Sequence, residues 1–285
     1  MLLMSVSDCK PTETTAEQAT PILYIMNIRR PAVAGLFYPA EKRTLAAMIE
    51  SLMAESKPQL EATAALVVPH AGYIYSGPTA AAGYVNLGNS SGKFTRVLLI
   101  GPAHRLPVLG CALSSHDGFE TPLGVIPVDG EAHQKLASHA HIAIIDAAHR
   151  EEHSLEVHLP FLQTLLPEIT LIPLLVGDAP PELVSDIIEE LWDDRTLIVI
   201  SSDLSHYHDY ESARRIDADT ARAIVELAPE RIGPHDACGC RALNGLLKLA
   251  KRKGLRLLQL DLRNSGDTAG PKDSVVGYGA FAVPA

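Results

Sequence analysis

The strongest constraint on the fold of this chain is a set of short, unbroken apolar runs separated by helical text. AALVV (64–68), RVLLIG (96–101), TLIPLLVG (170–177) and TLIVISS (196–202) carry apolar residues without polar alternation. Such runs are strands covered on both faces, as in a parallel sheet packed between helices. Helical periodicity fills the gaps. Segment 43–55 places Leu45, Met48, Ile49, Leu52 and Met53 on one face, and 76–87 begins at Ser76-Gly77-Pro78, where proline suits a first turn. Further helices are expected at 130–139, 154–166, 180–194, 211–227 and 237–253. CALSS (111–115) and GVIPVD (124–129) read as a pair of strands with turn-rich text between them. IAIID (142–146), LRLLQLDLR (255–263) and VVGYGAFAVP (275–284) complete the strand candidates. The alternation predicts an α/β fold: a single domain with a mostly parallel central sheet flanked by helices, with antiparallel additions.

No repeat or long linker divides the chain, and 285 residues that are 47% apolar suffice for one large core. Residues 1–27 read as a flexible N-terminal extension, polar and rich in Thr, Glu and Ala, and 28–285 as the α/β domain. Met26, just before the first convincing structured text, is a candidate native start. The net charge of -10 argues against a nucleic-acid surface, which needs basic clusters. The one basic concentration, 248–256, reads as the end of a helix that Gly254 stops. No apolar run approaches the ~20 residues of a membrane span. Cys9, Cys111, Cys238 and Cys240 are not spaced as a disulfide framework, so a reducing, cytoplasmic setting is expected.

Function is expected at the carboxyl ends of the strands, where open α/β sheets bind their ligands. His70 follows AALVV through Pro69, and His104 follows RVLLIG through Gly101-Pro102. One histidine after one strand is as readily a turn cap as a ligand. Two in the same setting favour a shared site, since neutral imidazole is a common metal ligand. SSDLSHYHDY places Asp203, His206 and His208 after the run at 196–202. Asp203 and His206 can serve as an orienting carboxylate and an acid/base, although Ser201, Ser202 or Asp203 can equally cap a turn.

EEHSLEVHLPFL (151–162) resembles a zinc-protease helix only superficially. On a helix, His153 and His158 stand about 140° apart, so they cannot chelate one ion side by side. His153 and Glu156 share a face and are expected to point into the crevice, with His158 structural or exposed. In DACGC, a cysteine at a helix start has enhanced thiolate character, while burial as a small apolar residue is the plainer alternative. The chain lacks His-Glu-x-x-His, a Gly-x-Ser-x-Gly elbow and a phosphate-cradling glycine loop, which disfavours a zinc hydrolase or an ordinary nucleotide enzyme.

Taken in order, RRPAVAGLFYP, VVPHAGYIYSG, VLLIGPAH, EEHSLEVHLPFL, SSDLSHY, CGCRAL and VVGYGAFAV resemble the Memo family over residues 28–284. Its prokaryotic members are called AmmeMemoRadiSam system protein B. The family is similar in fold to the LigB-like class III extradiol dioxygenases, which hold non-haem iron with two histidines and a glutamate. The resemblance implies metal ligands at His70, His104 and Cys238, with Cys240 outside the set. It implies acid/base roles for His206 and Asp203 and a pocket-lining histidine at His153. A thiolate in place of the carboxylate makes a softer site, suited to copper or zinc as well as iron. The expected function is a metal-dependent oxidoreductase of unassigned substrate. The alternative is a non-catalytic module that holds a small molecule or peptide and works with AMMECR-type and radical SAM proteins.

Overall fold

The structure, a computed structural model, describes residues 26–285. Residues 1–25, most of the expected extension, and Cys9 within them lie outside the described residues. In chain order the strands are β1 (Ile28–Arg29), β2 (Thr63–Val68), β3 (Arg96–Pro102), β4 (Cys111–Leu113), β5 (Gly118–Thr121), β6 (Gly124–Pro127), β7 (Ile142–Ile144), β8 (Thr170–Val176), β9 (Thr196–Ser201), β10 (His206–His208), β11 (Leu258–Asn264) and β12 (Val275–Pro284). The helices are α1 (Lys42–Glu55), α2 (Tyr73–Tyr84), α3 (Gly130–Ala137), α4 (Asp146–Arg150), α5 (Leu159–Leu165), α6 (Pro181–Leu191), α7 (Tyr210–Val225) and α8 (Cys240–Lys253).

The four unbroken apolar runs form the middle of a nine-stranded sheet, in the parallel order β2-β9-β3-β8. Antiparallel pairings flank this parallel centre: β12 on β2, β10 and β11 on β12, and β4 on β8. Burial explains the lack of polar alternation. Val67, Leu98, Ile100, Ile172, Ile198 and Ile200 point into one apolar layer, beneath α6 and α8. Their neighbours Leu66, Val68, Val97, Leu99, Leu197 and Val199 point into the other, with Leu45 and Ile49 of α1 and Ala80, Ala81 and Tyr84 of α2. Period-2 geometry with apolar residues on both faces gives a strand two cores instead of one.

Two local expectations are corrected. The segments at 111–115 and 124–129 are not partners: β4 joins the central sheet, whereas β6 pairs with β5. Phe119 and Ile126 face each other in that pairing, and their burial outweighs Gly118 and Pro122, which make the intervening text look like turn. The expected helix at 154–166 begins late. Residues 151–155 form a turn, 156–158 a short 3-10 segment, and only then does α5 start. Among the described residues, no helix is long and apolar enough to cross a membrane.

Candidate metal centre

Parallel register builds the site. Val68 of β2 lies level with Ser201 of β9, and Ile100 of β3 level with Ile200. The three strands therefore end together, and the residues just past them, His70, Asp203 and His104, emerge side by side. One ring nitrogen from each of His70, His104 and His153 lies within 4.8 Å of the others. The His104 and His153 rings stack with centroids 4.9 Å apart, and His70 stands edge-on to both. Cys238 arrives from the turn before α8, its Sγ 3.4 Å from His70 Nε2. Gly239 permits that approach, because a Cβ there would sit 2.5 Å from the Ser201 carbonyl oxygen.

The other nitrogens of the two predicted histidine ligands are occupied. His70 Nδ1 is 2.6 Å from Ser201 Oγ, and His104 Nδ1 is 3.0 Å from Glu152 Oε1. Fixing one ring nitrogen this way turns the other toward a cation. Glu152 is the hub of the arrangement and is not singled out by the sequence. Its carboxylate also accepts from the backbone N–H groups of His104 (2.5 Å), His153 (2.9 Å) and Ser154 (2.9 Å). His153 Nδ1 lies 3.2 Å from Glu152 Oε1 but off the hydrogen-bonding direction, which leaves that buried nitrogen unsatisfied.

Electrostatics follow from burial. Burial pushes the Glu152 carboxyl up, but His104 through its hydrogen bond and charge, the His153 ring 3.2 Å away and the Ser154 N–H hold it far below the usual carboxylate range. Burial, then the neighbouring His104, His153 and His158, lower the His70 pKa well below the ordinary value. Burial and the nearby Asp203 push the Cys238 thiol up. At rest, His70 is therefore a neutral imidazole and Cys238 a thiol, beside the ionised Glu152 carboxylate.

The donor set fits a metal. With metal–nitrogen bonds of ~2.0–2.1 Å and a metal–sulfur bond of ~2.3 Å, tetrahedral ligands stand roughly 3.5 Å apart. The spacing of His70 Nε2 and Cys238 Sγ matches that figure. The His153 ring, whose buried Nδ1 has no hydrogen-bond partner, also borders the space. A cavity of about 360 Å³ opens beside His104 and Cys238, walled by Pro107, Val108 and Leu109. A larger cavity of about 620 Å³, with Lys93 and Trp192, lies at the opposite ends of the strands, near Thr63 and Thr196, and holds none of these residues.

Residues 29–282 match the family model described as Memo-like protein. This chain belongs to the Memo family. Its curated relatives include a MEMO1 family protein of Aquifex aeolicus, 35% identical, with 89% of this chain and 98% of that protein covered. A MEMO1 family protein of Thermoplasma volcanium is 34% identical over 90% of this chain and 98% of its own. Another, from Aeropyrum pernix, is 36% identical over 90% of this chain and all of its own length. Among solved structures, an uncharacterized protein from Escherichia coli K12 matches at 13% identity and TM-score 0.49, covering 76% of this chain and 98% of that one.

In this Memo-family chain the geometry brings together His70, His104, His153, Asp203 and Cys238. Asp203 Oδ1 accepts from the His70 backbone N–H at 2.8 Å, and Oδ2 stands 3.9 Å from His70 Nε2. His206, half-buried on β10, lies within electrostatic reach of Asp203. Cys240 is buried in the apolar core at the start of α8. Glu156 does not point into the crevice. It is paired with Arg29 and accepts from Ala32 N–H, Val33 N–H and the Tyr38 hydroxyl, pinning the segment that runs into α1. The non-helical turn at 151–155 is the reason, since His153 lies outside any helix and the helical i, i+3 relation to Glu156 does not apply. His158 is structural and fully buried, hydrogen-bonded between Tyr84 and Ser201.

Proposed function

We propose that this protein holds one soft transition-metal ion (iron, copper or zinc) on His70, His104 and Cys238, and uses it in an oxidoreductase step on a small molecule. The observation that carries this reading is the convergence of His70 Nε2 and Cys238 Sγ while the Nδ1 atoms of His70 and His104 are both engaged elsewhere. When bound, such an ion supplies Lewis acidity or one-electron chemistry in a partly enclosed cleft. The chain's own residues supply the rest. Glu152 aims His104, Ser201 aims His70, and His153 walls the cleft. Asp203 stands beside the ligands and, with the nearby His206, forms the pair that would take or return a proton.

The test is elemental analysis of protein purified without chelator or histidine tag, repeated on His70→Ala, His104→Ala and Cys238→Ala. Loss of metal in the variants is expected. Equal metal in all three and the parent would overturn the ligand assignment.

A binding module that works with AMMECR-type and radical SAM proteins is the second reading. It draws on an apolar lip formed by Leu36 (80% exposed) and Ile74 (57% exposed). The two segments abut through the Tyr73 N–H to Phe37 carbonyl bond, and the Phe37 ring touches His153. Oxygen uptake by metal-loaded protein with catechol-like compounds separates the readings. Turnover supports the enzyme, and silence across a broad panel supports the module.

A further inference from the structure

Beneath the candidate ligands lies a chain of buried polar groups whose hydrogen positions are set by counting. Ser201 ends β9, and its Oγ has three neighbours: the Ser154 carbonyl oxygen at 2.6 Å, His70 Nδ1 at 2.6 Å and His158 Nε2 at 2.9 Å. A carbonyl oxygen only accepts, so the single hydroxyl hydrogen of Ser201 goes to Ser154. The two lone pairs that remain must each receive a hydrogen. His70 Nδ1 and His158 Nε2 are therefore both N–H donors. His158 is fully buried, and burial pushes its pKa down to about 3, so its ring is neutral and Nδ1 carries a lone pair. The Tyr84 hydroxyl, 3.1 Å away, donates to that lone pair. Tyr84 is itself fully buried, and burial raises its pKa, so the phenol keeps its hydrogen.

Every donor and acceptor in this chain is matched in one direction only: Tyr84 to His158, His158 to Ser201, His70 to Ser201, Ser201 to Ser154. The opposite His70 tautomer would set the Nδ1 lone pair against a Ser201 oxygen that has no hydrogen left to give. We propose that Tyr84, His158 and Ser201 are positioning residues that lock His70 in its Nδ1–H tautomer, so that Nε2 meets a cation as a bare lone pair. The part that concerns the cation rests on the metal centre proposed above; the tautomer lock does not.

The lock is read on metal-free, ¹⁵N-labelled protein by long-range ¹H–¹⁵N correlation of the imidazole rings, with the His70 signals assigned by their loss in His70→Ala. The expected spectrum shows a protonated Nδ1 and an unprotonated Nε2 for His70, and the reverse for His158. A His70 protonated on Nε2 in the parent protein overturns the proposal without any variant. In Ser201→Ala the acceptor is gone, and the Nε2–H form of His70 should appear. A spectrum unchanged by that substitution also overturns the lock. Tyr84→Phe should mix the His158 tautomers and leave His70 largely in the Nδ1–H form.

Co²⁺ affinity, measured by chelator competition on the same proteins, should fall roughly 10–100-fold in Ser201→Ala and less in Tyr84→Phe. A switched tautomer with unchanged Co²⁺ affinity would break the link between lock and cation. Absence of Co²⁺ binding by the parent protein would sink the metal centre, while the ring spectra would still decide the lock.

Discussion

Replacing Glu152 by glutamine is the sharpest probe of how the site is built. The side chain keeps its shape and loses its charge. Oε1 accepts from His104 Nδ1 and from the backbone N–H groups of His153 and Ser154, and Oε2 accepts from His104 N–H. The best orientation of the amide keeps its oxygen at the Oε1 position and sets its NH₂ against the His104 backbone N–H. One buried charge-assisted bond is then lost, about 1.5–3 kcal/mol, and three others weaken from charged to neutral acceptance. The sum is roughly 3 kcal/mol, a large fraction of an ordinary domain's ~5–15 kcal/mol.

Urea unfolding should report that loss as a lower midpoint with unchanged slope. Chelator competition should report metal affinity lowered roughly 10–100-fold, because a residue that orients a ligand has been disarmed. Glu151→Gln, one residue earlier and exposed, is the control and should change neither. Equal unfolding midpoints for Glu152→Gln and the parent would refute the hydrogen-bond reasoning. A destabilised variant with full metal affinity would reduce Glu152 to a loop staple.

Other perturbations follow from the same structure. Arg29→Met strands the buried Glu156 carboxylate and should destabilise by about 3 kcal/mol or more in urea, with Arg29→Met/Glu156→Gln recovering part of the loss. Gly239→Ala would put a Cβ 2.5 Å from the Ser201 carbonyl oxygen and 2.8 Å from Ser202 Cβ, so the turn carrying Cys238 must shift. Metal affinity should drop while circular dichroism stays close to the parent's. Asp217, buried against β10 and β12, has its carboxyl pushed by burial from 3.8 to about 6. The folded state holds that proton more tightly than the unfolded chain, so its stabilising effect is full below about 3.8 and fades as pH rises through about 6. Asp217→Asn should therefore gain on the parent by roughly 2 kcal/mol between pH 4.5 and pH 8 in urea titrations, from a shift of about two pKa units. A constant difference across that range would contradict the assignment.

The sequence discloses this site unevenly, for physical reasons. His70 and His104 are legible because each closes a both-sides-buried strand through a proline turn, and parallel register then places equivalent strand ends together. The central sheet is legible for the same reason. Cys238 has no such signal in DACGC; only its resemblance to a family motif selects it over Cys240, and the structure separates the two by burying Cys240 at the start of α8. Glu152 and Ser201 are nearly invisible. The text EEH offers two adjacent acids, and which one turns inward depends on the turn at 151–155. Ser201 reads as the last polar residue of a strand, and its three partners lie at least 43 residues away in sequence. Glu156 misleads because the apolar pattern is helical from 154, whereas α5 starts only at Leu159. A local rule cannot see hydrogen bonds that exist only after β2, β9 and β3 have aligned.

The two buried glutamates of 151–162 show how the same residue type can build structure or equip a site. Glu156 faces Arg29, whose charge is permanent at any pH the fold survives, and the pair locks one segment against another. Glu152 has no such partner: among the described residues, no lysine or arginine side chain meets its carboxylate. Its countercharge is supplied by backbone N–H dipoles and by imidazoles that carry charge only conditionally. A buried anion balanced this incompletely keeps a negative potential on the space between His70, His104 and Cys238. At His70 that potential favours the charged ring, while at Cys238 burial and the nearby Asp203 oppose thiolate formation. A cation entering the space would favour the Glu152 carboxylate and the Cys238 thiolate together. The replacement of an arginine partner by histidine is thus what distinguishes the carboxylate that serves the candidate centre from the one that serves the fold.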